Sequence, residues 1–217
     1  MLKRPQVGAT LVEFQVVGLL CLLPLLLGLL QLALLLLASP VLHYATFQAV
    51  RAGALAGADP AVMQRALAIG LMPLQVEGGT ALSASNAPTV AAVAAARSMA
   101  DVLAFARIRQ LQPSAAAFED FSIHTARGMA IPNSSLLQRT ATPGLRSGLS
   151  IQQANILQVR VDWCAPLIVP LIDRLLVGVL RGLDADLHSQ VCYAAGRVPL
   201  RASAALNMQS DVRFHGD

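Results

Sequence analysis

Charge is what this sequence has least of, and the shortage is local. Only 13% of its 217 residues are Asp, Glu, Lys or Arg, against about a quarter in ordinary soluble domains. None of them lies between Phe14 and Val50. Chemistry is equally thin. The chain has no glycine-rich phosphate loop, no His-Glu-x-x-His and no Gly-x-Ser-x-Gly, so nucleotide hydrolysis, zinc proteolysis and serine-hydrolase chemistry have no signature here. Its histidines, His43, His124, His188 and His215, are scattered without a partnered Ser, Cys or carboxylate pair, and the adjacent Glu119 and Asp120 read as a solvated turn. Neither an enzyme nor a cofactor is expected. The net charge is +4, but beyond Lys3 and Arg4 the basic residues are dispersed, which leaves nucleic-acid binding without an electrostatic footprint.

What the chain does have is one long apolar run. Phe14 to Ala38 is almost entirely Leu, Val, Ala and Gly, broken by Gln15, Cys21, Pro24 and Gln31. At ~1.5 Å per residue these ~25 residues reach roughly 38 Å, enough to cross a hydrocarbon core of about 30 Å with some tilt. Lys3 and Arg4 precede the run, so the positive-inside rule keeps the N-terminus in the cytoplasm and exports everything after Ser39. The best rival stretch, Ala165 to Leu183, is interrupted by Pro166, Pro170, Asp173, Arg174 and Arg181. It reads as a buried or amphipathic part of the exported domain, and one span is expected. A cleavable secretory signal fits poorly, because such signals have an apolar core of about 7 to 15 residues and a small-x-small cleavage site. The sequence Leu36-Leu37-Ala38-Ser39-Pro40 is a poor site, and Leu20 before Cys21 argues against a lipoprotein signal.

The chain has 3 cysteines. Cys21 lies in the apolar run and is most simply a filler. Cys164 and Cys192 both fall in the exported part, where an oxidising compartment would favour a disulfide worth roughly 3–4 kcal/mol on the chain-entropy account. The rival is a metal site, since His188 and Cys192 are four residues apart and can share a helix face. With three candidate ligands and no Cys-x-x-Cys, no metal is expected.

The junction ahead of the run carries more information. Gly8-Ala9-Thr10-Leu11-Val12-Glu13-Phe14 puts a carboxylate at the edge of the apolar segment, where full insertion would cost about 2.5 kcal/mol or more. A Glu facing headgroup water would avoid most of that. A second solution follows from spacing. If the chain is cut after Gly8, Ala9 becomes a free amine, and Glu13 lies four residues on, on the same helix face. An ammonium and a carboxylate entering low dielectric together cost less than either alone. The pair can close within one chain or between neighbours, and the second arrangement aligns subunits in a filament.

A short basic leader with Lys3 and Arg4, then Gly8, Ala9 and Leu11-Val12-Glu13-Phe14 opening a long apolar helix that contains Pro24, resembles the TadE-like pseudopilins of tight-adherence (Flp, type IVc) pilus systems. Tyr44 to Gly53 is similar to the family's post-membrane helix, and Ala154 to Val161, Gly196 to Leu200 and Met208 to Ser210 are similar to segments of its exported domain. The resemblance implies that a prepilin peptidase cuts between Gly8 and Ala9, and that Glu13 and Phe14 then serve assembly. It implies a minor pilin or assembly factor, with other pilins or pseudopilins, the inner-membrane assembly platform and the lipid bilayer as partners. The protein would be single-pass in the bacterial inner membrane, N-terminus cytoplasmic and C-terminal domain periplasmic, and pilus-associated after processing. The alternative is an unprocessed single-span envelope protein whose exported domain is a binding or scaffold module.

The expected fold class is α+β. Residues 1–8 form the leader, 9–39 the transmembrane helix, 40–112 a mainly helical exported segment, and 113–217 an α+β region with antiparallel strands. Pro40 to Gly57 extends the membrane helix, with Val41, Tyr44, Phe47 and Leu55 available for one face and the small residues Ala49, Gly53 and Gly57 permitting close contact. Asp59-Pro60 opens a helix reaching Met72. Leu74 to Pro88 reads as a loop, and Thr89 to Gln112 as a long helix ended by Pro113. Asp120 to Ala126 alternates, Pro132 to Ser150 reads as a mobile loop, and Ile156 to Trp163 as a half-buried strand. Leu167 to Leu183 is expected to be helical and Val198 to Gln209 extended.

Overall fold

The computed structural model describes residues 15–76, 87–126 and 128–214. Contacts divide the chain into two compact units. One runs up to Leu37 and adds Ala165–Val198; the other is Ala38–Cys164 with Pro199 onward.

Helix α1 (Gln15–Leu55) is a single element of 41 residues. Its first turns widen into a π-helical stretch, Gly18–Leu22, in which the Leu23 N–H donates to Gly18 O. Pro24 has no N–H to give and its ring crowds the preceding turn, so a widened turn just before it absorbs both problems. Up to Leu37 most of the leucines are exposed, Leu27, Leu34 and Leu35 being half-buried. Beyond that the helix buries one stripe: Leu42, Ala45, Thr46, Ala49, Val50 and Ala54, at spacings of three and four. Tyr44, Phe47 and Leu55, read from the sequence as available for one face, are exposed, while Ala49 and Gly53, among the small residues expected to permit close contact, are buried. The reason is the closeness of α2 (Pro60–Leu71), which starts at the Asp59 cap, whose Oδ1 accepts the Ala61 N–H at 2.8 Å. A Cβ on Gly70 would stand 2.6 Å from Ala45 Cα, and one on Gly53 would stand 2.8 Å from Met63 Sδ. Only small side chains fit such an approach.

Helix α3 (Ala87–Phe105) packs on α2, with Ser98 Oγ donating to Ala68 O at 2.5 Å. It is also long and apolar enough to span a membrane, so the expectation of one such stretch is corrected. Alanine scores as apolar whether or not it faces lipid. The buried polar residues Ser98 and Asp101 are bonded to partners in the same unit, as a domain helix requires. The helix ends seven residues earlier than expected. Ala106–Gln112 is strand β1, paired antiparallel to β4 (Ile156–Pro166) from Ala106 opposite Trp163 to Gln112 opposite Gln158.

Strand β4 is the middle of a three-stranded sheet in the order β1-β4-β5, β5 being Arg197–Asn207. One face buries Leu157, Val159, Val161 and Trp163. The Trp163 indole N–H donates to Asp101 Oδ2 at 2.7 Å, joining the sheet to α3. On the other face Asp162, with its side chain only 5% exposed, lies between Arg109 at 3.5 Å and Arg201 at 3.2 Å. A second sheet, β2 (Ile123–Thr125), β3 (Gly128–Ile131) and β6 (Val212–Arg213), is antiparallel. Helix α4 (Ala115–Phe121) takes Asp120 and Phe121 out of the strand expected there. The remaining helices are the short α5 (Ile151–Ala154), then α6 (Ile172–Arg181) and α7 (Leu187–Ala194).

The segment 132–150 is tied down rather than loose. Asn133 donates its N–H to Asp211 Oδ1 at 2.8 Å and its side chain to Met208 O at 3.0 Å. Gln152 Nε2 donates to Leu136 O and Arg139 O, at 3.0 and 2.9 Å. Of the expected loop at 74–88, Met72–Gln75 is a 3₁₀ turn and most of the rest lies outside the described residues.

The Gly70 approach is testable. Gly70→Val should lower stability by about 1–3 kcal/mol or more, because the clash is with backbone. The read-out is the urea midpoint in mild detergent, followed by Trp163, the single tryptophan. Ile69→Ala, one residue away but 66% exposed, should leave the midpoint nearly unchanged.

Candidate functional site

The residues expected to matter most, Gly8, Ala9, Glu13 and Phe14, lie outside the described residues. The described chain begins immediately after them, at Gln15, already in helix. The site can therefore be built from the helix outward. Through its first 23 residues α1 offers neighbours almost nothing but aliphatic surface: Leu19, Leu20 and Leu36 are each about two-thirds exposed. Cys21 is exposed and its thiol is free.

One residue breaks this pattern. Gln31 is fully buried, and its side-chain oxygen accepts the backbone N–H groups of Ile168 at 3.0 Å and Val169 at 2.9 Å. Those donors belong to the turn leading into α6, in the same unit. The only legible sign in the sequence was a lone amide in a leucine run, which does not name its partner.

Cys164 and Cys192 are both disulfide-bonded. The rival metal reading through Cys164, His188 and Cys192 needs thiolates, which a disulfide does not offer. The described histidines sit on separate elements: His43 on α1, His124 on β2 and His188 on α7, with the first two exposed.

Glu119 and Asp120 do more than face water. Asp120 accepts from the Ser147 hydroxyl and the Ser147 N–H, both at 2.7 Å, and from the Arg146 N–H at 3.1 Å. Glu119 pairs with the Arg146 guanidinium. The Ser147 hydroxyl, then the Ser147 backbone and Arg146, hold the Asp120 carboxyl below its ordinary 3.8. A Cβ on Gly144 would press into that carboxylate, 2.7 Å from its carbon. This is a loop clamp in which both Asp120 carboxylate oxygens accept hydrogen bonds from Arg146 and Ser147.

Comparison with protein families, curated proteins and solved structures finds no match to this chain.

Two outcomes follow from these contacts. The folded Asp120 binds its proton less tightly than the unfolded one, so its contribution is complete above the ordinary value and is lost as pH falls through the lowered one. Amide protection factors at Arg146 and Ser147 should be flat from neutral pH to about pH 5 and fall below about pH 4. Asp120→Asn should lower them already at neutral pH. For the cysteines, alkylation of unreduced, denatured protein should add one label by intact mass, at Cys21, and three after reduction. Three labels without reductant would remove the disulfide.

Proposed function

We propose that this chain is a membrane-anchored TadE-like pseudopilin that takes part in assembling a tight-adherence pilus, held in the bacterial inner membrane with its N-terminus cytoplasmic and processed by a prepilin peptidase at Gly8–Ala9. The observation that carries the reading is the change of character along one unbroken helix. From Gln15 to Leu37 it is aliphatic and largely exposed apart from the buried Gln31, and from Leu42 to Ala54 it buries a single stripe rich in small residues. A helix of that kind is suited to two successive apolar surroundings, a bilayer and then the packed interior of a filament. Glu13 stands two residues ahead of the described helix, where a carboxylate can meet the amine of Ala9 in its own chain or in a neighbour's.

The second reading, an unprocessed span whose exported domain binds a partner, has one observation in its favour. An open groove of about 570 Å³ runs between α1 and α2, lined by Tyr44, Arg51, Leu55, Ile69 and Pro73 among others. It accommodates a partner whether or not the leader is removed.

N-terminal sequencing of protein from cells with an active prepilin peptidase separates the two. The expected mature chain begins at Ala9, and a chain still beginning at Met1 in those cells would sink the pseudopilin reading. Gly8→Ala should block cutting. Glu13→Ala should leave cutting intact and reduce surface pili, and normal piliation in that variant would remove the assembly role from the carboxylate.

A further inference from the structure

The Gln31 contact fixes where a second apolar segment sits. Counted along the sequence from Phe14 at ~1.5 Å per residue, Gly28 to Leu35 lie about 21–32 Å into the apolar run, the last third of a hydrocarbon core of about 30 Å. Gln31 accepts two backbone N–H groups there, from Ile168 and Val169. Immediately afterwards α6 runs beside the same stretch. Gly28, Leu32 and Leu35 of α1 face Ile172, Leu175 and Val179 of α6 across an open apolar cleft of about 410 Å³. All of this lies within one unit of the chain.

At ~100° per residue, Ile172, Leu175, Leu176, Val179 and, just past the helix end, Leu183 fall on one arc, while Asp173, Arg174 and Arg181 fall on another. Ile172, at the start of the arc, is buried and Leu176 half-buried, but the rest of the arc is largely uncovered: Leu175 is 60% exposed, Val179 64% and Leu183 78%. An amphipathic helix with exposed leucines, docked at the depth of an apolar span, cannot have water on that side. Its neighbours are the acyl chains that surround the span.

We infer that Ile168–Leu187 is an interfacial membrane segment: α6 lies in the leaflet at the C-terminal end of the span, its apolar arc against acyl chains, with Asp173, Arg174 and Arg181 at the headgroups. This rests on the reading of α1 as a membrane span. A helix lying about 5–10 Å below the headgroups fits both the depth of Gln31 and the mixed arcs of α6. The charges of the segment, Arg174 and Arg181 against Asp173, Asp184 and Asp186, do not sum to a basic patch. Burial of apolar area therefore drives the contact, and zwitterionic lipid suffices.

Nitroxide accessibility on the full chain tests this in phosphatidylcholine vesicles, with Cys21→Ser and the disulfide left intact. Labels at Leu175→Cys and Val179→Cys should be severalfold more accessible to oxygen, relative to aqueous nickel chelate, than labels at Arg174→Cys and Arg181→Cys. Adding phosphatidylglycerol should leave the ratios unchanged. Leu25→Cys is the control for the span. If Leu25 reads as aqueous, the span reading fails. If Leu25 reads as lipid while Leu175 and Val179 read as aqueous, only the present inference fails. Labels at 175 and 179 that are shielded from both reagents, and released when the protein is diluted in lipid, would overturn it in favour of a second copy covering α6. Gln31→Leu should leave the Leu25 reading intact and increase label mobility at 179. Unchanged mobility would remove Gln31 as the clamp.

Discussion

A helix that is aliphatic on every side has no stable place in water, and the arrangement of this protein follows from that. Burying one leucine is worth roughly 1.5–3 kcal/mol, and leucines stand exposed along α1 from Leu19 to Leu37. Leaving them all wet would cost more than the net ~5–15 kcal/mol that holds an ordinary domain folded. The surroundings of α1 are therefore as much a part of the structure as its sequence. The helix also has to accommodate two prolines, Pro24 and Pro40, that have no N–H to donate. It does so past Pro24 by widening the turn at Gly18–Leu22 rather than by breaking.

Beyond Leu37 the same helix follows a different logic. Where α2 comes closest, side-chain size helps decide what is buried: Ala45, Ala49 and Ala54 are inside beside Leu42 and Val50, while Tyr44, Phe47 and Leu55 are not. Close approach by α2 selects the small residues because the two backbones meet at Gly70 and Ala45. Two of the large residues left outside, Tyr44 and Leu55, line the groove between the helices. One face thus builds the domain while the other remains available for contact.

The parts legible in the sequence were those governed by local rules. The apolar run reads as a helix by length alone, Asp59 caps α2 as its position before Pro60 suggests, and the alternation in Ile156–Trp163 is the central strand. The parts that were not legible depend on a distant partner. Ala106–Gln112 continues an alanine-rich helical pattern, yet it is a strand because β4 offers a ladder from Ala106 to Gln110 that resumes at Gln112 after a shift in register. Asp120 stands beside Glu119 with no local sign that Arg146 and Ser147 will return to it. The partner of Gln31 is more than a hundred residues away. The leader and its carboxylate were read from spacing and resemblance alone.

The segment Ala165–Leu183 shows how one set of residues can argue both ways. Its prolines and charges exclude it as a span, since a spanning helix tolerates neither Asp173 nor Arg174 in the middle of the hydrocarbon. Those same charges, confined to one arc of α6, are what a helix lying at the interface requires. Glu13 and Gln31 are eighteen residues apart, about 27 Å along a helix, so both can sit near opposite edges of a core of about 30 Å. On the proposed reading, the span has a polar residue near each boundary, Glu13 in the sequence ahead of it and Gln31 bonded to the turn before α6. On the proposed function and the inferred lipid contact of α6, a helix drawn from the bilayer into a filament would take α6 out of lipid along with it. Its apolar arc must then be covered by a neighbouring subunit, which makes departure from the membrane and docking on that neighbour a single coupled step.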